Sequence, residues 1–413
     1  MIREGRVLAL GPDARRELRR PATVVDISGC VVLPGFVQSH VRLAHTLLRS
    51  FVDEVSLVDE SALTALEAKL TPEMMRASAR LGLAQCALGG TTSVLDAGSR
   101  HHVEALFEAG RETGIRLTTG KVLGEPEGSG GSRDRVRAAL AETEKLRKLW
   151  HGSADGRLRY AYLPWDVLGC SEELLVEVIG RARGAGCLVH ARAAWTSAEV
   201  EQFRARFGGE TLAHLHDVGL TGTDVVLAHC VWLTARDHKL LKESGTRVAH
   251  CPVAELRSGA GLTKATEWMQ QGIHVSLGTG SVVTAGSHDV LEALRVLALA
   301  TRTRPGGAPV DPWQLLEMAT LRGAEALGLD SEIGSVQPGK RADLAIIDMS
   351  STHQRAGADP ARALLFSARS SDVRHVLVDG QFVVRDRQLV ALDQDLVADD
   401  AERAVALLRR KQR

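Results

Sequence analysis

Two β-branched runs, VVLAHC and TRVAHC, each end in a histidine followed by a cysteine, at His229-Cys230 and His250-Cys251. A carboxylate, Glu255, follows the second pair closely. Imidazole and carboxylate groups at strand ends can carry protons near neutral pH, and neutral imidazole also binds metal ions. Two further apolar runs, CVVLPGFVQSH and GCLVHAR, place His40 and His190 just ahead of Arg42 and Arg192. A guanidinium stays protonated and has no lone pair for a metal, but it grips a carboxylate or phosphate with two prongs. Trp165, Trp195 and Trp232 stand at or just past the ends of strand-like runs. There they could wall a pocket for a planar or cationic ligand, or simply fill a closed mouth.

These residues need elements to bring them together. The stretch 225–281 alternates three short strands with two helical patterns, ARDHKLLKES and TKATEWMQQ, the rhythm of βαβ units in a parallel sheet. Strand-like runs recur at 32–40, 91–97, 115–123, 158–165, 186–192, 224–232, 246–252 and 274–280, with helical patterns between most of them. Eight buried strands alternating with helices over roughly 250 residues predict an α/β fold, a (β/α)8 TIM barrel. Polar residues at the C-terminal strand ends then lie where such a barrel places its chemistry. Outside this rhythm, 5–11, 23–28, GSVQPGKRADLAIIDM and VRHVLVDGQFVVRD alternate apolar and polar residues, with a DG turn in the last. They predict a small composite β-sandwich from the N- and C-terminal segments. The expected organisation is therefore a sandwich of 1–30 and 341–395, a barrel of 31–340 and a C-terminal helix at 396–413. The glycine-rich stretch 124–133 (GEPEGSGGSR) reads either as a solvated loop or as a lid.

With 51 basic and 51 acidic residues the formal charge is zero, so neither a nucleic-acid nor an anionic-membrane partner is expected. No apolar run approaches the roughly 20 residues that span a bilayer. The opening MIREGRVLALG lacks the apolar core of a signal peptide, which points to the cytoplasm. Six cysteines show no C-x-x-C pairing and read as buried thiols, not as a disulfide frame or a cysteine zinc site.

In order along the chain, PGFVQSHVRL, GGTTSVLDAG, LAHCVWLT, VAHCPVAELRSGAG, VSLGTGS and GSVQPGKRADLAIID resemble the amidohydrolase superfamily. The nearest branch is that of S-adenosylhomocysteine and guanine deaminases and triazine chlorohydrolases. The resemblance covers nearly the whole chain. It implies the same barrel with a flanking β-sandwich, frequently a homodimer, and hydrolytic displacement of an amino group or halide by water on one Zn²⁺ or Fe²⁺. It also implies a ligand set that this sequence keeps only in part. The strand-1 His-x-His pair is His40 and Arg42 here, and the strand-5 His-x-x-Glu positions are Arg192 and Trp195. The strand-6 ligand is kept as His229, whereas the strand-8 Asp has become Gly280. Trp165 and Trp232 stand where family members often have histidines, and Ala254-Glu255 replaces a Ser-Asn pair. His250 is retained, and its family role is to polarise the attacking water or the leaving group. A strand-5 register shifted by two residues would instead offer His40, His190 and His229 as ligands.

Arg42 and Arg192 in a partly buried mouth each require an anionic partner. That partner is either internal, with Glu255 or Asp96 forming a salt-bridge plug, or the carboxylate or phosphate of a ligand. His229 and His250 read as satisfied strand-end histidines in preference to ligands. His45 reads as a polar substrate contact or a surface residue, and His101-His102 as solvent-facing. The expectation is a metal-free, cofactor-free pseudoenzyme or small-molecule-binding protein, its mouth lined by Arg42, Arg192, Trp165, Trp195, Trp232, His40 and His45 and taking an anionic or aromatic ligand. Two alternatives stand beside it. One is a metal-independent enzyme using His250, His229 and Glu255. The other is a family-type hydrolase acting on non-peptide C–N bonds, a deaminase or chlorohydrolase.

Overall fold

The computed structural model describes residues 1–17, 23–49, 51–52, 60–124, 133–165, 167–303, 310–355 and 359–411. Eight strands form the barrel: β1 (Phe36–Val41), β2 (Thr91–Asp96), β3 (Arg116–Thr119), β4 (Leu158–Pro164), β5 (Leu188–Ala193), β6 (Val225–His229), β7 (Arg247–His250) and β8 (Val275–Leu277). They pair in parallel in sequence order. Closure comes at the strand ends that matter for chemistry. Val41 bridges Gly280, and the Thr279 and Gly280 N–H groups both donate to the His40 carbonyl, at 3.1 and 3.0 Å.

Alternation within each strand sends Val37, Leu95, Leu163, Val226 and Ala249 into one buried cluster with Leu327, Leu329 and Ile333. Every barrel strand is buried along most of its length, as expected of strands covered on both faces. Helices cover the outside, among them Pro72–Leu88, which carries the Thr71 cap and Pro72 at its first turn.

The run 30–40 proves to be two strands in two different sheets. Cys30–Pro34 joins an antiparallel sheet with Leu344–Asp348, Val373–Val378, Gln381–Arg385 and Gln388–Leu389, and the chain then crosses into β1 at Gly35. A Cβ on Gly35 would lie 2.1 Å from the Thr92 side chain, so only glycine allows that crossing. The flanking unit is thus a five-stranded antiparallel sheet, with a two-stranded ribbon (Ile2–Arg3 and Arg6–Val7) set beside it through Arg6 and Arg341. Residues 23–28 form no strand; Val24 is 80% exposed and lacks the buried face that its alternation predicted. The helix Gln394–Arg410 closes the chain. Most of the stretch 124–133, read as a loop or a lid, lies outside the described residues. No helix among the described residues is long and apolar enough to cross a membrane.

Barrel closure also depends on glycine next to β3. A Cβ on Gly120 would sit 2.0 Å from the Ala161 carbonyl oxygen of β4. Gly120→Ala is therefore expected to lower the unfolding free energy by about 3 kcal/mol in urea titrations, because backbone and not a flexible side chain has to move.

Candidate functional site

Glu255 is fully buried on the short helix Pro252–Arg257 that follows β7. Its carboxylate accepts from the Cys251 N–H at 2.9 Å and from the Thr263 N–H and hydroxyl at 3.2 and 3.1 Å. It also faces His229 Nδ1 at 3.4 Å and His250 Nδ1 at 3.0 Å. Burial by itself would raise this carboxyl, but the two imidazoles hold it well below the usual carboxylate range. Glu255 thus remains an anion and fixes the Nδ1 side of both histidines. His229 reaches it from a strained turn, with φ of 71° at His229 and 55° at Cys230. Left-handed non-glycine residues cost of order 1–3 kcal/mol each and collect at functional sites.

A second chain of hydrogen bonds orients His40. His190 Nδ1 lies 2.9 Å from the Val226 carbonyl, which can only accept, so that nitrogen carries the proton. His190 Nε2 is then an acceptor for His40 Nδ1 at 3.0 Å. This tautomer assignment, made from the network, leaves the lone pair of His40 Nε2 buried and without a partner. In this arrangement the free lone pair of His190 is engaged by His40, which it holds in place. Burial lowers His40 well below its ordinary pKa and sets His190 at about 4, so both are neutral.

Above these rings sits an aromatic layer. Trp165 stacks on His40 with centroids 5.0 Å apart, Trp195 stacks on His229 at 5.0 Å, and His40 meets His229 edge-on at 5.5 Å. The Arg42 guanidinium lies over Trp165 at 5.2 Å and that of Arg192 over Trp195 at 5.2 Å.

The internal partner of the arginines is neither Glu255 nor Asp96. It is Glu60, at the start of the helix Glu60–Glu67. Arg42 Nη1 donates to both of its oxygens at 2.9 Å, and Arg192 Nη1 lies 2.8 Å from one of them, while Arg192 Nε lies 3.5 Å from Glu199. Burial opposes ionisation of Glu60, but Arg42 and Arg192 outweigh it and keep the carboxyl far below its usual range. Asp96 instead accepts from the Leu43 and Gly98 N–H groups and the Thr119 hydroxyl, and burial raises it to about 6. Glu60, Leu63, Trp165, Trp195, Ser281 and Thr284 close over His40 and His229, leaving a cavity of about 10 Å³. That is room for one water.

Two expected lining residues lie elsewhere. Trp232 follows the left-handed turn at His229-Cys230 and is 48% exposed, its indole N–H donating to the Ala260 carbonyl at 2.6 Å. His45 is fully buried behind the mouth, with Nδ1 3.1 Å from the Ser281 hydroxyl and Nε2 3.4 Å from Glu67. His101 and His102 are exposed as expected. Sequence reasoning missed Glu60, Glu67 and Ser281. Nothing in the spacing of SLVDESALTALE marks its first or last glutamate as a partner of strand ends so distant in sequence.

A parallel (β/α)8 barrel with imidazoles converging at its C-terminal strand ends defines a class of hydrolase scaffold, and the comparisons give the family. The chain belongs to the amidohydrolase family, whose pattern matches residues 31–383. It is 30% identical over 387 residues to a 5'-deoxyadenosine deaminase of Methanosarcina acetivorans, covering 93% of this chain and 87% of that protein. It is 34% identical over 365 residues to a 5-methylthioadenosine/S-adenosylhomocysteine deaminase of Moorella thermoacetica, covering 88% of this chain and 83% of the other. Among solved structures, a zinc-bound adenosine deaminase from Xanthomonas campestris superposes with a TM-score of 0.89 at 25% identity, over 99% of this chain and 93% of that one. A zinc complex of an atrazine chlorohydrolase from Arthrobacter aurescens gives 0.87 at 25% identity, over 98% and 94%. These matches overturn the expectation of a metal-free pseudoenzyme or binding protein. The relatives that share nearly the whole chain are named as deaminases, which favours the family-type hydrolase.

Two outcomes test this geometry. Glu60→Gln removes the shared carboxylate from two buried guanidiniums and is expected to lower the unfolding free energy by about 3 kcal/mol. The second concerns pH. His40, His45, His190 and His229 are all lowered by burial, so each is neutral in the fold and takes up a proton on unfolding below its ordinary value. Their contribution is complete above about pH 6.5 and is lost as pH falls toward 4. Asp96, raised to about 6, works in the opposite direction, but it is one group against four. Unfolding free energy should therefore drop by several kcal/mol between about pH 7 and pH 4.5; a flat or rising profile would contradict the neutral buried histidines.

Proposed function

We propose that this chain is a hydrolase of non-peptide C–N bonds, a deaminase that replaces the amino group of a nitrogen-containing aromatic ring by water-derived oxygen and releases ammonia. The observation that carries this reading is the match of 88–93% of the chain, at 30–34% identity, to proteins named as deaminases of adenosine derivatives.

The family implies a divalent metal, and the residues present accept one in part. His40 offers a buried, unpartnered Nε2, and its Nδ1–H is held by His190. His229 is oriented in the same way, through Nδ1, by the Glu255 carboxylate. Metal-binding histidines are characteristically fixed by such a partner on the other ring nitrogen. The arginines do not oppose a cation by net charge, because Glu60 and Glu199 lie against them. Arg42, Arg192 and Gly280 supply no donor, so the family's full ligand set is not available. His40 and His229 are the residues that would hold the ion, and a bound ion of this kind supplies water with a lowered pKa.

The chain's own groups do the rest. Trp165 and Trp195 lie between the imidazoles and the guanidiniums of Arg42 and Arg192, so a planar ring could reach an indole face only once those arginines move aside. Glu255, with its oxygens already engaged, is a positioning residue for His229 and His250 and not a proton carrier. His250 keeps an unpartnered, buried Nε2 and is the group assigned to take up and return the proton. A cavity of about 10 Å³ admits no purine, so the Arg42–Glu60–Arg192 contacts must part for substrate to enter. The free cysteines, mostly buried, support a reducing, cytoplasmic setting.

The test is ammonia release from 5'-deoxyadenosine, 5'-methylthioadenosine, S-adenosylhomocysteine, guanine and an aminotriazine by the zinc-supplemented protein. Turnover of at least one is expected, and His229→Ala should lower kcat/KM at least 100-fold, roughly 3 kcal/mol of transition-state stabilisation. No ammonia from any of these amines would overturn the proposal.

A further inference from the structure

The reading above leaves the metal with two imidazoles, fewer than the three protein donors usual at a catalytic zinc site. We propose that Cys251 is the third protein ligand of a divalent zinc-type ion, completing a His40–His229–Cys251 set in place of the strand-8 carboxylate lost at Gly280. This rests on the deaminase reading only in supposing that the chain carries a metal.

Three observations support it. One donor atom from each of His40, His229 and Cys251 lies within 4.8 Å of the other two, and all three residues are buried. Zinc holds nitrogen at about 2.0–2.1 Å and sulfur at about 2.3 Å, so donors on one ion stand within about 4.5 Å of each other, close to the spread seen here. The sulfur also borders the vacated position. A side chain at Gly280 would begin 3.7 Å from Cys251 Cβ and 3.8 Å from its Sγ. A thiolate on the neighbouring strand can therefore face the region that a strand-8 side chain would otherwise enter.

The third observation is the support behind the donors. Glu255 accepts from the Cys251 N–H at 2.9 Å and faces His229 Nδ1 at 3.4 Å, so one carboxylate orients the His229 ring and anchors the backbone that carries Cys251. The His190 contact fixes the remaining one. Nitrogen–nitrogen–sulfur donors suit zinc, as in sites built from imidazole and thiolate. On binding, the Cys251 thiol gives its proton to solvent, so the ion takes up a thiolate. A cavity with room for one water adjoins His40 and His229, where a fourth, exchangeable position is needed.

The experiment titrates the full-length, metal-stripped protein with Co²⁺ alone and records the near-ultraviolet thiolate-to-cobalt charge-transfer band. One Co²⁺ per chain with that band is expected. Cys251→Ser should abolish the band and weaken Co²⁺ binding at least tenfold, while Cys230→Ser, which changes the neighbouring buried thiol, should leave the band in place. X-ray absorption of the zinc-loaded native protein should show one sulfur at about 2.3 Å, and this measurement needs no variant to fold. Cobalt bound without the band, a zinc shell of nitrogen and oxygen only, a band that survives Cys251→Ser, or failure to bind either ion would each overturn the assignment. The two proposals fail separately. Thiolate-bound metal without ammonia release sinks the reaction and keeps the ligand, whereas ammonia release by a protein lacking the sulfur contact does the reverse.

Discussion

One buried carboxylate organises the site. Glu255 has no exposure to water, and an isolated ionised carboxylate in such a place would be strongly unfavourable. It persists because two backbone N–H groups, a hydroxyl and two imidazoles converge on it. Those contacts in turn orient the His229 and His250 rings and anchor the Cys251 backbone. The strand ends of β6 and β7 are thereby tied to a single anion, and the strained backbone at His229 and Cys230 is held in place by the contacts around it.

Around this anion the charges are layered by sign. Glu255 lies beneath the imidazoles, the tryptophan rings cover them, and Arg42 and Arg192 lie over the tryptophans with Glu60 between their guanidiniums. The arginines look, in sequence, like a substitute for the charge of a divalent ion. Once Glu60 and Glu199 are placed against them, they add little net positive charge to the imidazole layer below. The same contacts close the mouth, so access to the cavity depends on one short helix, Glu60–Glu67.

How much of this was legible follows from the range of the interactions involved. The barrel was, because its strands are continuous buried runs and its helices fall between them at regular intervals. The terminal sheet was partly legible. The segment Leu344–Asp348 and the hairpin around Asp379-Gly380 were readable from alternation and turn chemistry, yet 23–28 alternates just as well and forms no strand. Alternation shows that a segment could bury one face, not that a partner exists to cover it. Trp232 and His45 misled for a related reason. A left-handed turn takes one out to solvent, and a 3₁₀ turn at Leu43–Leu48 takes the other inward. Neither turn is marked by glycine or proline within it.

By itself the sequence determined the scaffold and the chemical inventory: the order of the eight strands, the histidines at their ends, and side chains without a metal-donor atom at Arg42, Arg192 and Gly280. These are properties of residue type and local period, which a linear reading can follow. Tertiary structure alone decided which groups meet. Glu60 reaches Arg192 across 132 positions of chain, His190 fixes the tautomer of His40, and Cys251 comes to lie beside the place that Gly280 leaves open. Each of these depends on barrel closure, which brings distant strand ends within a few ångströms. Pairing at that distance is set by three-dimensional packing and electrostatics, and spacing along the chain carries no record of it.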